Sequence, residues 1–292
     1  MTTIIDGKII SMQIEEELQD VIATALTGRP PCLALVLAGE NPASKVYVGT
    51  KKKKCETVGI TSIIHEFPDT IEEAIILDTI AALNDDDGVD GILVQLPLPK
   101  HIDTFKICSA IAPEKDVDGF HPINIGKLLI GSDDGFVPCT PLGIRVLMER
   151  YGIETKGKHA VIIGRSNIVG KPMAAILMQK APYGDATVTV ANSRTPDLAA
   201  ICRSADILIS AIGSPHFITA DMVKEGAAVF DVGISKVTDD TRPRGYRLVG
   251  DVDFDGVSEK AAFITPVPGG IGPMTVAMLL SNTFKSYQRR SQ

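Results

Sequence analysis

Short apolar runs alternate with longer stretches of helical period along nearly the whole chain. "CLALVLAG" (Cys32 to Gly39), "TSIIHEF" (Thr61 to Phe67) and "GILVQLPLP" (Gly91 to Pro99) predict strands, with helices over Pro42 to Val58 and Ile71 to Leu83 between them. The runs are continuous rather than strictly alternating, the pattern of parallel strands covered on both faces. A stretch rich in turns and glycines, "APEKDVDGFHPINIGKLLIGSDDGFVPCTPLG", then breaks the alternation and predicts a connection between two lobes. Beyond it, "HAVIIG", "ATVTVAN", "ADILISAIG" and "AAVFDVGI" predict four further strands, separated by helices after Val169, Pro196 and Thr219. This is a second α/β unit, of the doubly wound kind. A last helix is predicted from Met274 to Arg289, with Pro273 in its first turn and the apolar run Ala277 to Leu280 demanding a packing partner.

Composition narrows the function classes. The 292 residues carry a net charge of −7, with 45% hydrophobic and 22% charged residues, which is ordinary for a globular enzyme and gives no basic footprint for nucleic acid. The five cysteines, Cys32, Cys55, Cys108, Cys139 and Cys202, form no C-x-x-C pair and stand at no zinc-ligand spacing from a histidine, so no metal site is expected. They read as reduced, buried thiols of a cytoplasmic protein. No apolar run reaches the roughly 18 residues of a membrane span, and "MTTIIDGKII" shows no targeting pattern. "NDDDG" (Asn84 to Gly88) is most simply a solvated turn.

Two stretches carry candidate chemistry. "VIIGRSNIVGKPMAAIL" runs strand, glycine turn, helix, and backbone N–H groups at such a helix start can hold a phosphate. The spacing of Gly164 and Gly170 departs from G-x-G-x-x-G, so a plain tight turn stays open. The next strand ends in Asn192, Ser193 and Arg194, where NAD-binding folds usually place a carboxylate. Ser193, Arg194 and Arg165 could all donate to a 2′-phosphate, which favours NADP over NAD. The other stretch is "SKVYVGTKKKK". Wound at about 100° per residue, Lys52 and Lys53 turn away to solvent, whereas Lys51 lies beside Tyr47, Val48, Cys55 and Lys54. Burial and a neighbouring cation would lower the Lys51 pKa and poise it for proton transfer. A helix whose polar face happens to be basic is the competing reading.

"SKVYVGTKKKK", "GILVQLPLP", "PEKDVDGF", "GRSNIVGKP" and "TPVPGGIGPMTVAML", in this order, resemble the bifunctional methylenetetrahydrofolate dehydrogenase/cyclohydrolase family of the bacterial FolD type. The resemblance runs from the first helix to the last. It implies two α/β lobes around a cleft, the second a Rossmann-like dinucleotide-binding domain with a parallel sheet. Residues 1–139 would form the folate-binding catalytic domain, completed by a C-terminal helix over 273–292, and 140–272 the NADP-binding domain. The implied reaction oxidises 5,10-methylenetetrahydrofolate with NADP⁺ to the methenyl cation, which water then opens to 10-formyltetrahydrofolate. Lys51 falls on the family's catalytic lysine, Tyr47 on the tyrosine that stacks on the folate, Gln95 on the glutamine that contacts the lysine, and Asp118 on the pterin-binding aspartate. Asp116 looks structural. Val94 and Leu96 flank Gln95, and Pro268, Gly269 and Gly270 open a loop against the folate. Gly164, Arg165, Ser166 and Ile234 fall on cofactor contacts.

The resemblance further implies a homodimer joined through the cofactor domain, acting on tetrahydrofolate one-carbon derivatives. Lys54 is expected to bias the charge of Lys51. Two features depart from the family pattern. "VTDDTRPRGYRLVGDVDF" is longer than usual, which a surface hairpin would absorb, and Ala191 and Asn192 stand where relatives often carry Cys and His. Recognition of the 2′-phosphate therefore rests on Arg165, Ser193 and Arg194. The alternatives are a monofunctional dehydrogenase and a noncatalytic folate- or nucleotide-binding regulator on the same fold.

Overall fold

The computed structural model describes residues 1–26 and 28–290. In chain order its elements begin with β1 (Thr3–Ile4), α1 (Gly7–Ala25), β2 (Cys32–Ala38), α2 (Pro42–Val58), β3 (Thr61–Phe67), α3 (Glu73–Asp85) and β4 (Gly91–Val94). Three helices follow, α4 (Thr104–Ser109), α5 (Pro122–Ile130) and α6 (Cys139–Arg150). Then come β5 (His159–Ile163), α7 (Gly170–Met178), β6 (Thr187–Ala191), α8 (Leu198–Arg203), β7 (Ile207–Ser210) and β8 (Ala228–Asp231). The chain ends with β9 (Ser235–Thr238), β10 (Tyr246–Val249), α9 (Phe254–Ser258), β11 (Phe263–Ile264) and α10 (Ile271–Arg290). Two compact units result, one of Met12–Cys139 with the chain from Val276 onward, the other of Met1–Ser11 with Thr140–Thr275.

In the first unit a parallel sheet runs β3-β2-β4, with Cys32 opposite Thr61 and Leu33 opposite Gly91. The central β2 and the end strand β4 are buried on both faces, whereas β3, at the other end, is half exposed. Ala34, Val36, Ile76, Ile80, Ile92 and Ile107 form the core, each large aliphatic chain worth about 1.5–3 kcal/mol on burial. "GILVQLPLP" is strand only to Val94, because Pro97 and Pro99 have no N–H to give a ladder. The presumed connection over 112–143 contains a helix the sequence pattern hid. His121 caps α5 by accepting from the Ile123 N–H at 3.1 Å, Pro122 opens it, and Gly131 at φ +76° closes it. The late part of α10 belongs to this unit: Asn282 donates to the Val117 and Val137 carbonyls, and Ser286 to those of Asp90 and Glu114. Ser291 and Gln292, included in the expected C-terminal helix, lie outside the described residues.

The second unit holds a six-stranded parallel sheet in the order β1-β11-β8-β7-β5-β6. Residues 1–11, grouped with the first domain by the sequence, fall here because Thr3 and Ile4 pair with Phe263 and Ile264. Val161, Ile163, Leu208, Val229 and Ile264 supply the core from the strands, with Cys202, Ile218, Met222 and Val257 packed against them. The helix expected after Thr219 shrinks to a single 3₁₀ turn, Ala220–Met222. The long segment before "GDVDF" forms the antiparallel hairpin β9–β10, with the Lys236 ammonium 4.7 Å from the centre of the Tyr246 ring. No described helix is long and apolar enough to cross a membrane, and the described residues hold no His, Cys, Asp or Glu cluster fit for a metal ion.

Candidate active site

Helix α2 sets the first group of residues. Asn41 caps it, accepting from the Ala43 and Ser44 N–H groups at 2.9 and 3.4 Å, and Pro42 takes the first turn, where no N–H is needed. Its buried stripe is Ser44, Val48, Lys51, Cys55 and Val58, the three- and four-residue steps of a single helix face. Lys51 thus sits on the apolar face, 9% exposed, while Lys52 and Lys53 face solvent. The Lys51 Nζ donates to Gln95 Oε1 at 2.9 Å. Gln95 follows β4 directly; its N–H bonds the Val36 carbonyl at 2.8 Å, and its Nε2 donates to the Leu96 carbonyl at 2.7 Å, which turns the amide oxygen to the lysine.

Burial lowers the Lys51 pKa, opposed by the nearby acidic groups Asp118, Cys139 and Cys55. Burial also raises Asp118, opposed chiefly by the Lys51 charge and aided by Asp116. The desolvated pair therefore drifts toward neutrality from both sides. Asp116 is a scaffold, as expected of it: it accepts from the N–H groups of Gly119, Phe120 and His121 and from Asn124 Nδ2. Lys54 corrects the sequence reading. Its ammonium pairs with Glu15 at 2.5 Å, and desolvation rather than this cation depresses Lys51.

Lys51, Gln95 and Asp118 come together; Val94 is buried at the strand end and Leu96 half-buried beside it. Tyr47 stands one turn before Lys51, its side 45% exposed. Sequence reading missed Cys139, a fully buried thiol that donates to the Val117 carbonyl at 3.4 Å and lies beside the Asp118 carboxylate. Its only signal was its place in "VPCTP", which spacing rules for metals and disulfides discard.

In the second unit the glycine turn follows β5. Gly164 has φ +117°, and a Cβ there would lie 2.4 Å from the Ala211 carbonyl oxygen. At Gly170, the start of α7, a Cβ would lie 2.2 Å from the Gly164 carbonyl. Only glycine lets these backbones approach, leaving a cradle open at the helix start. Ser166 Oγ accepts from the Val169 N–H at 3.0 Å and shapes the turn. Ser193 and Arg194 follow β6, the strand paired with β5, so they lie at the same sheet end as Arg165, and all three are exposed. Asn192 builds their turn, its N–H bonding Thr195 Oγ1 and its Oδ1 accepting from the Arg194 N–H. Ile234, 50% exposed, follows β8. Pro268, Gly269 and Gly270 follow β11, with the Gly269 carbonyl accepting from the Lys8 N–H at 2.9 Å. The cradle, two exposed guanidiniums and a hydroxyl suit a phosphorylated dinucleotide, and the strand-end residues Asn192, Ser193 and Arg194 include no carboxylate.

A parallel doubly wound sheet with this cradle, joined in sequence to a second α/β unit holding a desolvated lysine, defines a two-unit protein of the dinucleotide-binding class. The chain belongs to the tetrahydrofolate dehydrogenase/cyclohydrolase family. The family's catalytic-domain model matches residues 5–118 and its NAD(P)-binding-domain model residues 138–291. The chain is 58% identical over 286 residues, 98% of either chain, to a protein of Protochlamydia amoebophila named Bifunctional protein FolD. Among solved structures, a bifunctional FolD methylenetetrahydrofolate dehydrogenase/cyclohydrolase of Campylobacter jejuni is 49% identical, with TM-score 0.94 over 99% of this chain and all of its own. A Trypanosoma brucei enzyme of the same kind, complexed with NADP and an inhibitor, is 40% identical, with TM-score 0.94 over 100% of this chain and 99% of its own.

Proposed function

We propose that the protein oxidises 5,10-methylenetetrahydrofolate to 5,10-methenyltetrahydrofolate with NADP⁺ and hydrolyses the product to 10-formyltetrahydrofolate. Family membership supports both steps, and the part-buried hydrogen bond from Lys51 Nζ to Gln95 Oε1 carries the hydrolytic one. NADP⁺, when bound, accepts the hydride leaving the methylene carbon. Arg165, Ser193 and Arg194 hold its 2′-phosphate, and Gly164, Ser166 and Ile234 border the rest. Asp118 accepts two hydrogen bonds from the 2-amino-pyrimidinone edge of the pterin. Tyr47 stacks on the folate, and the same reading assigns Val94, Leu96, Pro268, Gly269 and Gly270 to substrate contacts. Lys51, its pKa lowered by burial, takes a proton from the water that attacks the methenyl carbon, and Gln95 holds the amine in line. One proton is released per methenyl cation opened, which balances the step.

A homodimer joined through the cofactor unit and a cytoplasmic location belong to the same reading. The edge strand β6, hydrogen-bonded to β5 on one side, offers the other side for pairing, and the five cysteines are free thiols. The deciding experiment follows NADPH and methenyl product together on the purified protein, with NAD⁺ in parallel, for wild type and Lys51→Met. Wild type yields NADPH and hydrolyses added methenyltetrahydrofolate above the buffer rate; Lys51→Met keeps NADP⁺ binding and loses hydrolysis. Hydrolysis unchanged in the variant removes Lys51 from its role. NADPH formation without hydrolysis in wild type leaves a monofunctional dehydrogenase, and no reduced cofactor leaves a binding protein.

A further inference from the structure

We propose that Asp231 and Asp251 form a buried carboxylate clasp that positions the loops after β7 and β8 for the dinucleotide, making them positioning residues for cofactor binding. The inference rests on the cofactor reading of Gly164 and Ile234. Both side chains are all but inaccessible, Asp251 at 0% and Asp231 at 3% exposure, and neither has a lysine or arginine among its described partners. Backbone donors and one hydroxyl solvate them instead.

The connections run outward to the cradle. Asp251 accepts from the Ile212 N–H and the Ser214 N–H, both at 2.8 Å, and from Ser210 Oγ at 3.1 Å. It thereby fixes the Ala211–Ile212 peptide, whose carbonyl oxygen is the group that only glycine at 164 can approach. Asp231 accepts from the N–H groups of Gly233, Asp251 and Val252, each at 2.9 Å. The first of these bonds sets the turn that presents Ile234; the other two tie Asp231 to the segment carrying Asp251. The neighbouring glycines exist for this arrangement. A Cβ at Gly250 would lie 1.8 Å from Asp231 Oδ2, and one at Gly233 would lie 2.2 Å from Asp251 Oδ1.

Two carboxylates side by side are a poor choice for stability alone. Burial pushes Asp231 up to about 6, its N–H donors from Val252 and Asp251 pull it back, and the Asp251 charge raises it again. What the pair supplies is rigidity: six donors converge on four oxygens and lock two loops at the carboxyl ends of adjacent strands, where doubly wound sheets bind their ligands.

The test uses full-length Asp251→Asn and Ser210→Ala. The first turns an acceptor into an NH₂ group facing N–H donors; the second removes one donor from Asp251 with little volume change. NADPH binding is titrated by fluorescence without folate, and the KM for NADP⁺ and the hydrolysis of supplied methenyltetrahydrofolate are measured alongside. The expected result is a rise of about tenfold or more in the NADPH Kd and NADP⁺ KM for Asp251→Asn, and a smaller rise for Ser210→Ala. Hydrolysis, which uses no cofactor, stays within about twofold of wild type. Unchanged cofactor affinity in both variants overturns the proposal. So does a parallel fall of both activities with the melting temperature in both variants, which marks a purely structural pair. If wild type itself binds no NADPH, the cofactor reading fails and the clasp falls with it, an outcome distinct from the other two.

Discussion

Replacing Gly7 by alanine puts a methyl carbon 1.8 Å from the Gly270 carbonyl oxygen and 3.2 Å from that of Gly269. A comfortable carbon–oxygen contact needs about 3.4 Å, so one backbone must retreat by about 1.6 Å. Neither neighbour is a flexible side chain. Gly7 opens α1, where Asp6 Oδ1 accepts from the Ile9 N–H and the Asp6 N–H donates to the Tyr151 hydroxyl; Gly270 is held by its own N–H to the Pro266 carbonyl. The Lys8 to Gly269 bond is lost or stretched, so the stability cost is about 1–3 kcal/mol. The larger effect falls on the Pro268–Gly270 loop, which the proposed function sets against the folate. Misplacement by 1 Å at a reacting centre can cost about a hundredfold in rate. Gly7→Ala is therefore expected to lower kcat/KM for the folate by about that factor in both steps, with the NADPH Kd unchanged. Steady-state assays of each activity, together with NADPH titration, read this out. A folded variant with wild-type kcat/KM for both folates would refute the reasoning, as would a loss confined to cofactor binding.

Two further outcomes follow from the cofactor unit. Arg194→Ala is expected to weaken NADP⁺ by about tenfold or more and leave NAD⁺ unchanged, since a lost bidentate phosphate contact has no counterpart on a 2′-hydroxyl; equal losses for both nucleotides would refute it. Asp231 gives a pH signature. Its carboxyl is raised from 3.8 to about 6, so the folded protein holds that proton more tightly than the unfolded chain, and this group adds stability as pH falls from about 6 to about 4. Urea unfolding should show wild type gaining on Asp231→Asn by up to about 3 kcal/mol across that window, and a difference that stays constant with pH would contradict the raised carboxyl.

What the sequence showed depended on how local each signal was. The α2 boundaries were legible because Asn41, Pro42 and Gly59 punctuate them, and the central strands because continuous apolar runs have few other readings. Helix α5 was lost among glycines and prolines, although His121, Pro122 and Gly131 are cap residues placed as a helix needs them. Helical winding put Lys51 on the buried side but could not see Glu15, 39 positions away in sequence, which takes Lys54. Asp231 and Asp251 were hidden for the same reason. Their partners are backbone N–H groups of distant loops, and no residue pattern advertises those.

Perturbed pKa alone does not separate the working groups from the structural ones in this chain. Lys115 is 1% exposed, and burial lowers it as it lowers Lys51. The difference lies in how much hydrogen-bonding capacity is spent. An ammonium has three donors, and Lys115 gives all three to the carbonyls of Leu83, Asn84 and Asp86, tying down the end of α3. Asp90 is likewise saturated, by the two terminal guanidinium nitrogens of Arg29 and the Cys32 N–H, and Asp116 by four donors. Lys51 gives one described bond, to Gln95, and the Cys139 thiol beside Asp118 has its described bond to the Val117 carbonyl. A half-buried polar group that keeps unspent donors or acceptors needs water or a ligand to complete them. The proposed function uses the spare capacity of Lys51 and Asp118 more than their depth: substrate and the attacking water would complete both sets.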